Sequence, residues 1–115
     1  MELDPYSILR KRWKDIVALG EALTFRAGQV LFYEGHEPYG IFVILSGLVE
    51  EVNSGKDCGR EFWSSPQGQV LGLSHILNGS PLCCTAVAAT DCEVLFIPKT
   101  LLEPYFQQGT PGASP

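Results

Sequence analysis

The sequence predicts a mainly-β domain, a jelly-roll β-barrel of the double-stranded β-helix kind, with short α-helices at its flanks. Three observations carry this expectation. After Gly20 the chain runs as short apolar segments broken by Gly, Pro, Asn and Ser at intervals of about ten residues, the spacing of an all-β sandwich or barrel. Two of these segments, IFVIL (Ile41 to Leu45) and VLFI (Val94 to Ile97), are apolar at every position, as strands covered on both faces are. The chain has 115 residues, 45% of them hydrophobic, enough for one core and therefore one domain.

Taken in order, residues 1–20 read as an N-terminal helix. Asp4 caps it, Pro5 takes the first helical position, and Leu9, Trp13, Ile16 and Val17 recur at helical spacing to about Leu19. Residues 21–98 form the jelly roll, with strands expected near Ala22–Phe25, Gln29–Tyr33, Gly40–Ser46, Gly47–Val52, Arg60–Ser64, Val70–Leu71, Cys83–Ala89 and Cys92–Pro98. Between the last two pairs of strands, GQVLGLSHILNGSPLCCTAVAAT (Gly68 to Thr90) sets a Gly turn, one helical turn, a Gly/Pro turn and a small-residue strand in succession. Residues 99–108 (KTLLEPYFQQ) read as a short C-terminal helix interrupted at Pro104, and 109–115 (GTPGASP) as a flexible tail with nothing to bury.

Composition excludes several function classes. The net charge of -5 and pI near 4.9 repel nucleic acid and anionic membranes from the chain as a whole. No apolar run approaches the ~18 residues of a membrane span, and MELDPYS lacks the basic-then-apolar order of a signal peptide, so a cytoplasmic protein with no membrane association is expected. RKRWK (Arg10 to Lys14) gathers four basic residues on one helix; it reads as a solvated face, with a docking patch for an acidic partner or lipid headgroups as the alternative.

No catalytic residues and no metal site are expected. His75 adjoins Ser74, but neighbours on a helical turn point apart, and a hydrolase needs its nucleophile and base to meet. His36 and His75 are too few for a cupin-type metal centre, and the four cysteines contain no Cys-x-x-Cys. All four are expected as free thiols, with Cys83 and Cys84 facing opposite ways. Cys58, in the loop NSGKDCGR between Lys56 and Arg60, is expected to react before Cys83, Cys84 and Cys92.

Four blocks in a fixed order, FRAGQVLFYEGHEPYGIFVILSGLVEEV, GREFW, QGQVLGLSHIL and TAVAATDCEVLFIPKTLL, resemble the cyclic nucleotide-binding domain of Crp/Fnr-type regulators, kinase regulatory subunits and ion channels. The resemblance implies a phosphate-binding cassette in which a Gly and a helix N-terminus face the cyclic phosphate, an Arg closes on its oxygens and a Glu takes the ribose hydroxyl. Matched residue by residue, that Gly is Gly72, the Glu is Leu73, the Arg is Leu82 and the small residue after it is Cys83. Between Gln67 and Asp91 there is no Asp, Glu, Lys or Arg. Losing two hydrogen bonds to charged groups, each worth roughly 1.5 to 3 kcal/mol, weakens binding by about a hundredfold to ten-thousandfold.

The sequence therefore predicts a non-catalytic regulatory domain with a degenerate cassette of Gly72, Leu73, Ser74, Leu82, Cys83 and Cys84, acting through a protein partner or as a homodimer. No cofactor is expected, neither a cyclic nucleotide in the usual pose nor haem. The alternative is a sensor whose pocket has been retuned to an apolar ligand, haem or a non-standard nucleotide. Relatives that regulate transcription continue into a long dimerisation helix and a DNA-reading helix-turn-helix; LLEPYFQQ followed by a small-residue tail does neither, so no DNA binding by this chain is expected.

Overall fold

The computed structural model describes residues 5–52 and 63–106. The expected N-terminal helix is two helices, α1 (Pro5–Lys11) and α2 (Trp13–Val17), because Arg12 leaves the helical region at φ -104°, ψ 12°. Hydrogen bonds still cross the break, Arg12 N–H to the Ile8 carbonyl and Ile16 N–H to the Arg12 carbonyl, and Leu9, Trp13 and Ile16 remain buried while Arg10, Lys11, Arg12 and Lys14 are exposed. The basic cluster is thus a solvated face, as the pattern predicts.

The strands are β1 (Glu21–Phe25), β2 (Val30–Phe32), β3 (Gly40–Ser46), β4 (Val49–Val52), β5 (Trp63–Ser65), β6 (Gly68–Leu71), β7 (Thr85–Ala88) and β8 (Cys92–Pro98); α3 (Leu73–Asn78) lies between β6 and β7, and α4 (Lys99–Phe106) follows β8. They form a five-stranded sheet, β1-β8-β3-β6-β5, and a three-stranded sheet, β2-β7-β4, with every pairing antiparallel. This is the expected jelly roll.

Three boundaries differ from the expectation. Gly47 and Leu48 turn the chain before β4 instead of extending it: Gly47 takes φ 93°, and the Leu48 N–H donates to the Thr90 hydroxyl at 3.0 Å. Cys83 and Cys84 form a bend before β7, since hydrogen bonds with the β2–β3 turn hold that stretch in place of a sheet ladder. The C-terminal helix runs through Pro104 without stopping, anchored by fully buried Leu102.

Side-chain alternation along the central strands builds two cores. From β3, Ile41 and Val43 point outward and pack with Leu9, Trp13, Ile16, Val70, Leu73, Ile76, Ile97 and Leu102, a layer between the five-stranded sheet and the helices. Phe42 and Ile44 of the same strand point inward, into a core with Leu71, Ala88, Cys92 and Val94. That is why Ile41 to Ile44 carry no polar residue: both faces of β3 are covered there, while Leu45 is exposed. Four phenylalanines fill the interior of the roll, Phe42 lying against Phe96, Phe32 and Phe25 at ring separations of 4.9, 5.8 and 6.3 Å. Among the described residues no polar or charged side chain is buried.

Candidate functional site

The cassette opens at Gly72, the N-cap of α3, whose φ of 91° is a left-handed conformation that residues with a Cβ rarely adopt. Its carbonyl accepts the Ile76 N–H at 3.3 Å, so the turn feeds directly into α3. Gly79, at φ 66°, closes the helix, and the next residue donates its N–H back to the His75 carbonyl at 3.0 Å, a helix end of the glycine-capped type. Two glycines therefore give α3 its short length and its sharp entry and exit.

α3 is turned toward the helices. Leu73, 3% exposed, and Ile76 belong to the outer core with Trp13 and Ile16, while Ser74 and His75 are half-buried. The position matched to the ribose-binding Glu thus lies in the outer core, between the five-stranded sheet and the helices. His75 pairs with Ser80 instead of its neighbour Ser74, Nδ1 lying 3.1 Å from the Ser80 hydroxyl. With Glu37 and Lys99, these residues border a cleft of about 100 Å³. Ligand pockets span roughly 300 to 1,000 Å³, so this cleft is too small for a nucleotide.

The second half of the cassette is pinned to the β2–β3 turn. Leu82, 4% exposed, donates its N–H to the His36 carbonyl at 2.9 Å and accepts the Gly35 N–H at 2.7 Å. The Thr85 hydroxyl accepts the Glu34 N–H at 2.9 Å. Leu73 and Leu82 do not share a core: Leu73 is in the outer cluster and Leu82 is buried outside it. Of the six candidate residues, Leu73 is thus part of the outer core, Leu82 is bonded to the β2–β3 turn and Cys84 to β4.

Cys83 and Cys84 lie in a bend and differ in burial and bonding. Cys84, 6% exposed and a free thiol, donates to Oε2 of Glu51 on β4 at 3.3 Å. Cys83 is half-buried and disulfide-bonded, which corrects the expectation of four free thiols. A disulfide requires two Cα atoms within about 7 Å, a proximity in space that spacing along the chain does not report. Cys58, expected to be the most reactive thiol, lies outside the described residues. Cys92 is buried and free, its thiol directed at the carbonyls of Thr90 and Leu48.

Glu51 and the His36 and Gly35 backbone are the neighbours that sequence reasoning missed. They lie about thirty to fifty residues from the cassette, and only the β4–β7 register, with Glu51 opposite Ala86 and Val52 opposite Thr85, brings Glu51 alongside it. No local signal in VEEV marks that role. Among the described residues no group of three or more His, Cys, Asp or Glu side chains is placed to hold a metal ion, and no helix is long and apolar enough to cross a membrane.

Residues 22–109 match the family model of the cyclic nucleotide-binding domain. The chain is 33% identical over 89 residues to the lysophospholipase NTE1 of Chaetomium globosum, which covers 76% of this chain and 6% of that protein. It is 28% identical over 81 residues to the HTH-type transcriptional regulator ArcR of Staphylococcus haemolyticus, covering 69% of this chain and 35% of the regulator. Its backbone superposes on the catabolite activator protein of Thermus thermophilus with a TM-score of 0.65 at 16% identity, over 90% of this chain and 50% of that one, a likeness of fold. The chain thus spans half or less of the length of each of these proteins, and 6% of the lysophospholipase.

Proposed function

The chain belongs to the cyclic nucleotide-binding domain family, and from that premise we propose that it is a non-catalytic regulatory domain whose cassette no longer takes cyclic nucleotides in the usual pose. It acts on a protein partner, on a second copy of itself or on the remainder of a longer chain. One observation carries this reading: Leu82, matched to the position of the phosphate-binding Arg, is buried and fixed by its own backbone to the Gly35–His36 turn, and an acid, Glu51, accepts a bond from Cys84 in the adjoining segment. An incoming cyclic phosphate meets an apolar wall and a like charge where relatives of this fold present a guanidinium.

The alternative, an apolar-ligand or haem sensor, is disfavoured by the interior of the roll, where Phe25, Phe32 and Phe96 each lie against Phe42. Isothermal titration of the purified chain with cyclic AMP and cyclic GMP tests the proposal. No saturable binding is expected below about a millimolar, given two lost charge-assisted contacts. A micromolar dissociation constant for either nucleotide overturns it.

A further inference from the structure

The charge of this chain is segregated. Four of its eight basic residues fall in the five positions from Arg10 to Lys14, which hold no acid, and the other four are set against thirteen acidic residues. The hydrogen bonds that cross the break at Arg12 keep α1 and α2 on one helical path. At about 100° per residue, Arg10, Lys14 and Lys11 share an arc of roughly 100°, turned away from buried Leu9, Trp13 and Ile16. All three are exposed. Arg12 lies on the flank toward α4, where Asp15 holds its guanidinium at 3.4 Å and the ring of Tyr105 lies 6.0 Å away. Arg10, Lys11 and Lys14 have no such partner among the described residues. Like charges three and four residues apart on a helix repel, so the Arg10–Lys14 and Lys11–Lys14 pairs work against the helices of the free chain.

We infer that the Arg10–Lys11–Lys14 face docks a short acidic segment of a protein partner, which names the kind of partner for the regulatory-domain reading above and rests on it. The stripe runs about 6 Å along the helix axis, so it matches carboxylates one helical turn apart or at alternate positions of a strand. Charge decides among the possible occupants. A bilayer would meet charge alone, because Leu9, Trp13 and Ile16 belong to the outer core, and interfacial helices bind through an apolar face free to enter the lipid. A long polyanion also runs against the acidic remainder of the molecule, whereas a short segment meets only the stripe. Two copies of the chain, each at -5, repel one another at long range.

The test is fluorescence anisotropy of the full chain with a short fluorescein-labelled peptide of alternating Glu and Ser, and with the same peptide carrying Gln for Glu. The acidic peptide should bind saturably and the Gln peptide should not, and binding should weaken about fivefold or more between about 0.02 M and about 0.15 M salt. Lys14→Glu and Arg26→Glu change the net charge equally, but exposed Arg26 follows β1 and lies outside the stripe. Lys14→Glu should weaken binding about tenfold or more, and Arg26→Glu by less than about twofold. Should Lys14→Glu fail to fold by circular dichroism, Lys14→Gln against Arg26→Gln decides, with an expected loss of about threefold for the first alone. Absence of saturable binding, or equal losses at the two positions, overturns the docking face. Equally tight uptake on phosphatidylserine vesicles, or a dimer in sedimentation that Lys14→Glu abolishes, overturns the acidic protein segment as its occupant. Micromolar cyclic nucleotide binding overturns the functional reading and leaves peptide binding to the stripe standing, so the two failures are distinct.

Discussion

At the scale of single residues, Leu73 and Leu82, which we propose stand at the two charged positions of the cassette, lie in different surroundings. Leu73 is a core residue on the helix side, packed with Trp13 and Ile16. Restoring the acid there by Leu73→Glu puts a carboxylate among aliphatic and indole groups, with a cost of about 3 kcal/mol or more. Leu82 lies between exposed Pro81 and half-buried Cys83, so in Leu82→Arg the longer stem can lead its guanidinium to water, at about 1 to 2 kcal/mol. Urea unfolding of both variants should show that order. Equal costs would mean that the two leucines share one environment. The residue-by-residue match proposes both positions but not their environments, because the direction a side chain takes from a Gly-capped single helical turn depends on what the turn rests on.

Among the elements, β3 and β8 were the most legible, since a strand covered on both faces must be apolar at nearly every position, and IFVIL and VLFI are. The N-terminal helix was legible as a stripe but not as a kinked pair, because Arg12 has ordinary helix propensity and its break belongs to the tertiary packing. Trp13 joins this element to the roll: its indole N–H donates to Oε1 of Gln67, in the β5–β6 turn, at 2.7 Å. Trp13→Phe keeps most of the apolar contact and removes that bond, with an expected loss of about 1 to 2 kcal/mol. Gln67→Ala should cost under about 1 kcal/mol, because Gln67 is exposed and water can reach the indole's end of the bond. Thermal unfolding checks both, at roughly 4 to 8 °C per kcal/mol for a domain of this size. The bend at Cys83–Cys84 was read as strand because small and β-compatible residues run on without a break into TAVA; the flanking Leu82 and Thr85 bond to residues 34–36 instead.

Across the whole molecule, the fold class and the succession of strands along the chain followed from the rhythm of turns and from the family resemblance, while the sheet order and the contacts between distant segments did not. The Cys83 disulfide and the Glu51 contact both depend on pairing in space that no periodicity encodes. The two cores are not independent bodies. β3 and β8 feed alternate side chains to each, so loss of the helix layer uncovers one face of the strands whose other face closes the roll. The acidic balance of the chain acts at this scale too, keeping the surface repulsive toward polyanions although α1 and α2 carry a basic face.

The pairing of β1 with β8, Glu21 opposite Phe96 through Phe25 opposite Cys92, also sets a timetable. The first strand out of the ribosome has its partner near the far end of the domain, so β1 waits unpaired until almost all of the roll has been made. Its neighbour in space arrives last, and the closing of that long loop precedes the contacts that repay it. The isolated domain should therefore refold in milliseconds to seconds, as β-rich topologies do, and not in the microseconds typical of small helical bundles. Stopped-flow dilution from urea measures this directly. A microsecond phase carrying the full amplitude would mean that native β1–β8 pairing is already present in the unfolded ensemble.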